Sequence, residues 1–245
     1  TPHSFPDASD QGALVHEILQ QVYLCAGSSS LLNQITQDQV RTICTTCIEQ
    51  NFQRFPAAFR DAQVNVVYQP VWNWIEFDRA RTFDVDALEQ TYTITLQGVE
   101  FALRLDRVDR VNDSPLVIDY KTGRHAGELS ALSTLSALEE RGASVQNPQL
   151  AAYVIASNAR GAMFARLGAR PRVTGIASSE LSLTDRGVDQ VAADSWSEQV
   201  GVWHAQLNDL VGEFVSGYAS VKPRSASLCK HCHLSSFCRI ERSGG

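Results

Sequence analysis

Residues 117–124 read VIDYKTGR, and this stretch holds residue types that can do chemistry. A strand-like run, Val117-Ile118, delivers Asp119, and the period of two along a strand places Lys121 on the same face. Just upstream, Asn112-Asp113 is a hairpin-turn signal. With those two residues as the loop, paired positions sum to 225, and Asp106 stands directly opposite Asp119. Cβ atoms of such a pair are about 4.5–5.5 Å apart, and facing like charges destabilise a sheet. A divalent cation between them removes the repulsion. Mg²⁺ favours oxygen ligands, often one or two carboxylates, and keeps waters. A lysine beside such an ion can orient water or stabilise charge developing on a phosphate. A bare D-x-K also describes two solvated acids and a surface ion pair, so the surrounding residues must decide.

The elements that would position these groups follow from periodicity. Residues 12–25, GALVHEILQQVYLC, carry Leu14, Val15, Ile18, Leu19, Val22 and Tyr23 at helical spacing, with Asp10 as N-cap. A second helix opens at Thr36. A third is expected over residues 69–80, with Pro70 in its first turn. Alternating β-branched and aromatic residues then predict three antiparallel strands near 90–96, 99–111 and 115–121, turned at Gln97-Gly98 and Asn112-Asp113. A helix carries NPQLAAYVIASNA, within a longer apolar candidate that continues through GAMFARLGA. A further strand is expected at 172–182 and a long helix at 195–218. This order predicts an α/β fold on one central mixed sheet flanked by helices, forming a single domain over residues 1–245.

Composition narrows the function classes. At 44% hydrophobic and 20% charged, the 245-residue chain has the make-up of a soluble globular protein. A net charge of −6 does not advertise a polyanion partner, although a basic groove can sit on an acidic protein. No apolar run is long enough to span a membrane. The N-terminus lacks the pattern of a signal peptide, and the chain reads as a fragment of a longer, cytoplasmic protein.

The motif LRLDRVDRVNDSPLVIDYKTGR resembles the core of the PD-(D/E)XK nuclease superfamily, in its RecB/AddB-like branch. GALVHEIL, with His16, is similar to that branch's histidine helix, and PQLAAY, with Gln149 and Tyr153, to its Q-L-x-x-Y helix. The resemblance covers about residues 10–240 and implies a restriction-endonuclease-like core. It implies metal ligation by His16, Asp106, Asp119 and the Tyr120 carbonyl, with Mg²⁺ or Mn²⁺ as the ion. It makes Lys121 the catalytic lysine and gives Gln149 and Tyr153 supporting roles at the site or on the DNA backbone. Asp109 has the opposite strand parity to Asp106 and is assigned a structural role, which a β-bulge could reverse. The implied activity is exonuclease-like cleavage of DNA in repair or recombination, within a protein that also carries helicase-like regions. A second class is a non-catalytic DNA-binding or assembly module of the same fold.

Cys229, Cys232 and Cys238 form a C-x2-C-x5-C tail, which reads as metal ligation in a reducing compartment. The resemblance implies a [4Fe–4S] cluster with a fourth cysteine upstream of the histidine helix, and a tail over 225–245 packing on the same domain. No cysteine precedes His16 in this chain. Three completions are open: a cysteine upstream of this fragment, zinc with His231 or His233, or one of Cys25, Cys44 and Cys47. Cys44 and Cys47 sit among apolar helix neighbours and also read as small core residues. Arg104, Arg107, Arg110 and Arg124 flank the candidate site and could line a phosphate path, as could Lys222, Arg224, Lys230, Arg239 and Arg242 in the tail. Trp72, Trp74, Trp196 and Trp203 suit either base stacking or the core.

Overall fold

The computed structural model describes residues 6–122 and 148–218. Arg124 and the cysteine tail with its basic residues lie outside them. The helices are α1 (Ala8–Ala26), α2 (Ser29–Leu32), α3 (Gln37–Asn51), α4 (Ala57–Asp78), α5 (Pro148–Ser157) and α6 (Trp196–Val215). The strands are β1 (Asp84–Leu96), β2 (Val99–Val111), β3 (Ser114–Lys121), β4 (Gly161–Arg166), β5 (Arg172–Ser178) and β6 (Val188–Val191). They form one six-stranded sheet in the order β1-β2-β3-β4-β5-β6. The pairs β3–β4 and β5–β6 are parallel and the rest antiparallel, so the sheet is mixed. Helices α1, α3 and α4 pack on one face, against Leu116, Ile118 and Tyr120. Helices α5 and α6 cover the other, against Val117, Phe164 and Ile176. This is the predicted α/β class, with helices on both sides of a central mixed sheet.

Both hairpins turn as their sequences demand. Gln97-Gly98 and Asn112-Asp113 all have positive φ, the backbone of a type I′ turn. That turn fixes the register of β2 on β3, with Arg107 opposite Ile118 and Val111 opposite Ser114. Thr36 caps α3 through a capping box with Gln39.

Several boundaries differ from expectation. Helix α1 starts earlier, because Asp7 is its N-cap and accepts from the Ser9 and Asp10 amides. Asp10 is the other half of that capping box, at the third helical position. Helix α4 begins a dozen residues before the predicted start, so Pro70 lies in its interior. The Val66 carbonyl loses its helical donor there, and Val66 is 53% exposed, where water can replace it. Helix α5 stops at Ser157, with Asn158 at φ 52°, and GAMFAR is a strand rather than more helix. Phe164 is its one strand-favouring residue, and both of its faces are buried, so it shows no alternation. The expected strand at 172–182 ends at Ser178 in a 3₁₀ turn, Ser179–Leu181, and the short β6 was not anticipated.

Gly175 on β5 marks how closely β4 and β5 approach. A Cβ there would lie 2.5 Å from the Ala162 carbonyl oxygen and 2.6 Å from Met163 Cβ. Backbone cannot yield as a flexible side chain does, so Gly175→Ala is expected to destabilise the domain by about 1–3 kcal/mol, as overpacking does. Urea denaturation with an unchanged m-value would measure it.

Candidate active site

The site lies where β2 and β3 part. Their ladder runs down to Arg107–Ile118 and stops, while β3 continues beside β4 as far as Lys121–Arg166. Asp106 and Asp119, the next pair in register, stand at this opening and not in a closed ladder. The Tyr120 amide, freed from β2, donates instead to Asp106 Oδ2 at 2.8 Å.

A second irregularity sits on the other side of Asp106. Leu103 and Leu105 face the α5–α6 layer, and so does Val108. The alternation of β2 therefore slips at Asp106. Across from it, β1 slips at Glu89: Tyr92 and Ile94 face the α5–α6 layer, whereas Leu88 packs against the α1–α4 layer. Glu89 has φ 51°, a left-handed conformation uncommon for a residue with a side chain. No period-two reading could have found Glu89, because its signal lies in the break of the period.

His16 reaches the same opening from α1. It borders the buried stripe Leu14, Val15, Ile18, Leu19 and Val22. Gly12, one turn earlier, lets α1 close on the end of β3, since a Cβ there would lie 3.2 Å from Thr122 Oγ1. His16 Nε2 lies 3.0 Å from the Tyr120 carbonyl oxygen, and Nδ1 lies 3.3 Å from Asp106 Oδ1. His16, Glu89 and Asp106 each offer one ligand atom, all within 4.8 Å of one another.

Asp119 and Lys121 point to the other face, toward α5. Lys121 Nζ is 2.5 Å from Asp119 Oδ2 and 3.2 Å from Gln149 Oε1, with the Phe164 ring centroid 5.0 Å away. Gln149 Nε2 donates to Asp119 Oδ1 and is 2.7 Å from the Tyr153 hydroxyl. Gln149 and Tyr153 are one helical turn apart on α5 and meet there. The structure thus brings together His16, Asp106, Asp119, the Tyr120 carbonyl, Lys121, Gln149 and Tyr153.

The donor set fits a hard divalent cation: carboxylates, a backbone carbonyl and one imidazole. Asp119 is 3% exposed, and its Oδ2 takes no well-directed hydrogen bond, only the ionic contact from Lys121. Burial, and then the charge of Asp106, push the Asp119 carboxyl up to about 6, against the opposing pull of Lys121 and His16. Burial and then Asp106 also raise Glu89, with Arg104 and His16 opposing. Burial alone would lower His16, but its hydrogen bond to Asp106 and the charges of Asp106, Asp119 and Glu89 outweigh that, and the net shift is upward.

A cation must displace these protons. Mn²⁺ affinity is therefore expected to fall at least about tenfold per pH unit below about pH 6, where Asp119 takes up its proton, and to level off only once His16, held above its ordinary value, has also lost its own. Without metal the sign reverses. The folded pKa of Asp119 lies above its unfolded value, so in the metal-free chain this group contributes stability at acid pH that is lost as pH rises through about 6. Calorimetric titration and thermal melts in EDTA across this range check both. Asp119→Asn should flatten its part of each curve.

Asp109 is buried on the opposite side, away from the opening. It pairs with Arg107 at 2.5 and 2.6 Å and with Arg81 at 3.3 Å. Arg107 is also fully buried, so it cannot line a phosphate path as its position beside Asp106 suggested. Arg104 and Arg110 are exposed but paired, with Glu89 and Asp86. Trp74, Trp196 and Trp203 are core, and Trp72 packs against it, so none is displayed for base stacking. Cys44 and Cys47 are core residues too. Burial, then the neighbouring Cys47, pushes Cys44 up to about 12, and burial, then Glu17, pushes Cys47 up to about 11. Thiols so protonated are poor metal ligands.

A profile of the PD-(D/E)XK nuclease superfamily matches residues 2–239, and the chain belongs to that superfamily. Its class is that of metal-dependent nucleases. The solved structure described as "Crystal structure of SSO0001" is similar over 76% of this chain and 79% of its own, at 16% identity and a TM-score of 0.34. A search of curated proteins gave no match. No helix among the described residues is long and apolar enough to cross a membrane.

Proposed function

We propose that this chain is the nuclease domain of a RecB/AddB-like protein, a Mg²⁺- or Mn²⁺-dependent deoxyribonuclease with exonuclease-like action. The observation that carries the reading is the convergence of three would-be ligands from distant segments beside Lys121: His16, 3.0 Å from the Tyr120 carbonyl, with Asp106 and Asp119. Asp106, Asp119, His16 and the Tyr120 carbonyl hold the ion. The ion, when bound, supplies Lewis-acid stabilisation of the phosphate and a more acidic water. Lys121 orients the attacking water or stabilises negative charge on the scissile phosphate, and Gln149 holds Asp119 and Lys121 in one geometry. Tyr153 anchors Gln149.

The domain belongs in this reading to a longer cytoplasmic protein of DNA repair or recombination with helicase-like regions. Residues 1–245 form one nuclease unit in this reading, and Cys229, Cys232 and Cys238 contribute to a [4Fe–4S] cluster, with zinc as the alternative. Iron and sulfide analysis with a visible absorption spectrum distinguishes the two.

The test is degradation of end-labelled single-stranded and duplex DNA with Mg²⁺, Mn²⁺ or EDTA. Metal-dependent loss of label that disappears in Asp119→Ala and Lys121→Ala is expected. Metal-enhanced binding without cleavage would instead make the chain a DNA-binding module of this fold.

A further inference from the structure

A polar cleft of about 510 Å³ opens beside the site, between α1 and the β1–β2 hairpin. Its lining includes His16, Glu17, Glu89, Arg104 and Asp106. Three carboxylates there outnumber the single guanidinium and the one imidazole. As it stands, such a cleft repels a phosphodiester. A divalent cation among His16, Glu89 and Asp106 cancels that charge.

Glu89 has two competing partners. Its Oε2 lies 2.6 Å from Arg104 Nε, and a carboxylate oxygen also lies within reach of the ion position shared with His16 and Asp106. Its side chain is 11% exposed, whereas that of Arg104 is 68% exposed, so Arg104 can move and Glu89 is held at the centre.

We propose that Arg104 is a phosphate-binding residue held in reserve by Glu89, and that Glu89, drawn as a further ligand to a divalent cation held at His16 and Asp106, releases Arg104 to the DNA backbone in the cleft. This rests on the nuclease reading above. It makes DNA affinity depend on the ion before any bond is broken: the ion neutralises the cleft and draws Glu89 from Arg104 in one event.

The test is fluorescence anisotropy of a labelled oligonucleotide, in Ca²⁺ and in EDTA, over a range of salt concentrations. In Ca²⁺, Arg104→Gln is expected to bind about three- to tenfold more weakly than wild type. Its log K against log salt slope should be shallower by about 0.7–0.9, the signature of one phosphate contact. In EDTA it should match wild type. Glu89→Gln should bind DNA more tightly than wild type in EDTA, because Arg104 is already released, and should bind Ca²⁺ more weakly by calorimetry. An Arg104→Gln chain with wild-type affinity and slope in Ca²⁺ overturns the phosphate role. Unchanged Ca²⁺ affinity in Glu89→Gln overturns the release. If wild type cleaves DNA and these variants behave as wild type, only this inference falls. If wild type neither cleaves nor binds DNA, the reading beneath it falls as well.

Discussion

Asp106→Asn should lower metal-dependent cleavage by on the order of 10³-fold, which corresponds to about 4 kcal/mol of lost transition-state stabilisation. Asp106 is the hub of the site. One oxygen accepts the Tyr120 amide, the other faces His16 Nδ1, and both Glu89 and Asp119 lie beside it. Asparagine keeps an acceptor for the Tyr120 amide, so the end of β3 retains its geometry. It removes the charge, which weakens the ion site and relieves Asp119. The expected variant is folded, binds Mn²⁺ much more weakly by calorimetry, and melts no lower than wild type in EDTA. Wild-type turnover in this variant would remove Asp106 from the ligand set and send the search to another carboxylate.

The second large effect is structural. Arg107→Met is expected to cost about 3–5 kcal/mol or to abolish folding, because it strands buried carboxylates without their cation. The Arg107 guanidinium binds Asp78 at 2.8 Å and Asp109 at 2.5 and 2.6 Å, lies 3.2 Å from the Tyr120 hydroxyl, and stacks 3.7 Å over the Tyr23 ring centroid. Asp78 would keep Arg81 and the Tyr23 hydroxyl, but Asp109 would keep only Arg81, at 3.3 Å. Burial already raises the Asp109 carboxyl, against the charges of Arg107 and Arg81. Without Arg107 it rises further, so the loss relative to wild type should be smaller at acid pH, where Asp109 can be protonated, than at neutral pH. Chemical denaturation at both pH values checks the sign. Arg107→Met/Asp109→Leu should recover part of the loss, since it removes both charges of one pair. If the double variant is no more stable than the single, the loss comes from packing around Tyr23 and not from charge. The network also matters to the site, because the Tyr120 hydroxyl is tied to it while the Tyr120 carbonyl faces His16.

The division between what was legible and what was not follows the range of the interactions. The turn residues Asn112-Asp113 set the β2–β3 register locally, and with it the position of Asp106 beside Asp119. Period two placed Lys121 with Asp119, and helical spacing placed Gln149 with Tyr153. All of these are contacts within one turn or one hairpin. The motif resemblance supplied His16, but only packing brings it to Tyr120, which is 104 residues away in sequence. Arg107 and Arg104 look alike in the sequence. The slip at Asp106 sends the first into the core and leaves the second in the cleft, because a break in pleat exchanges the faces that follow it. Glu89 became visible only when two such slips met across the hairpin. β4 stayed hidden because a strand buried on both faces has no alternation to read. The sequence by itself determined the turns and the β2–β3 register, and so that Asp106 and Asp119 come to the same end of the hairpin. Tertiary packing alone decided which charges were buried as pairs and which faced the opening, since desolvation acts on a group only after distant segments have closed around it.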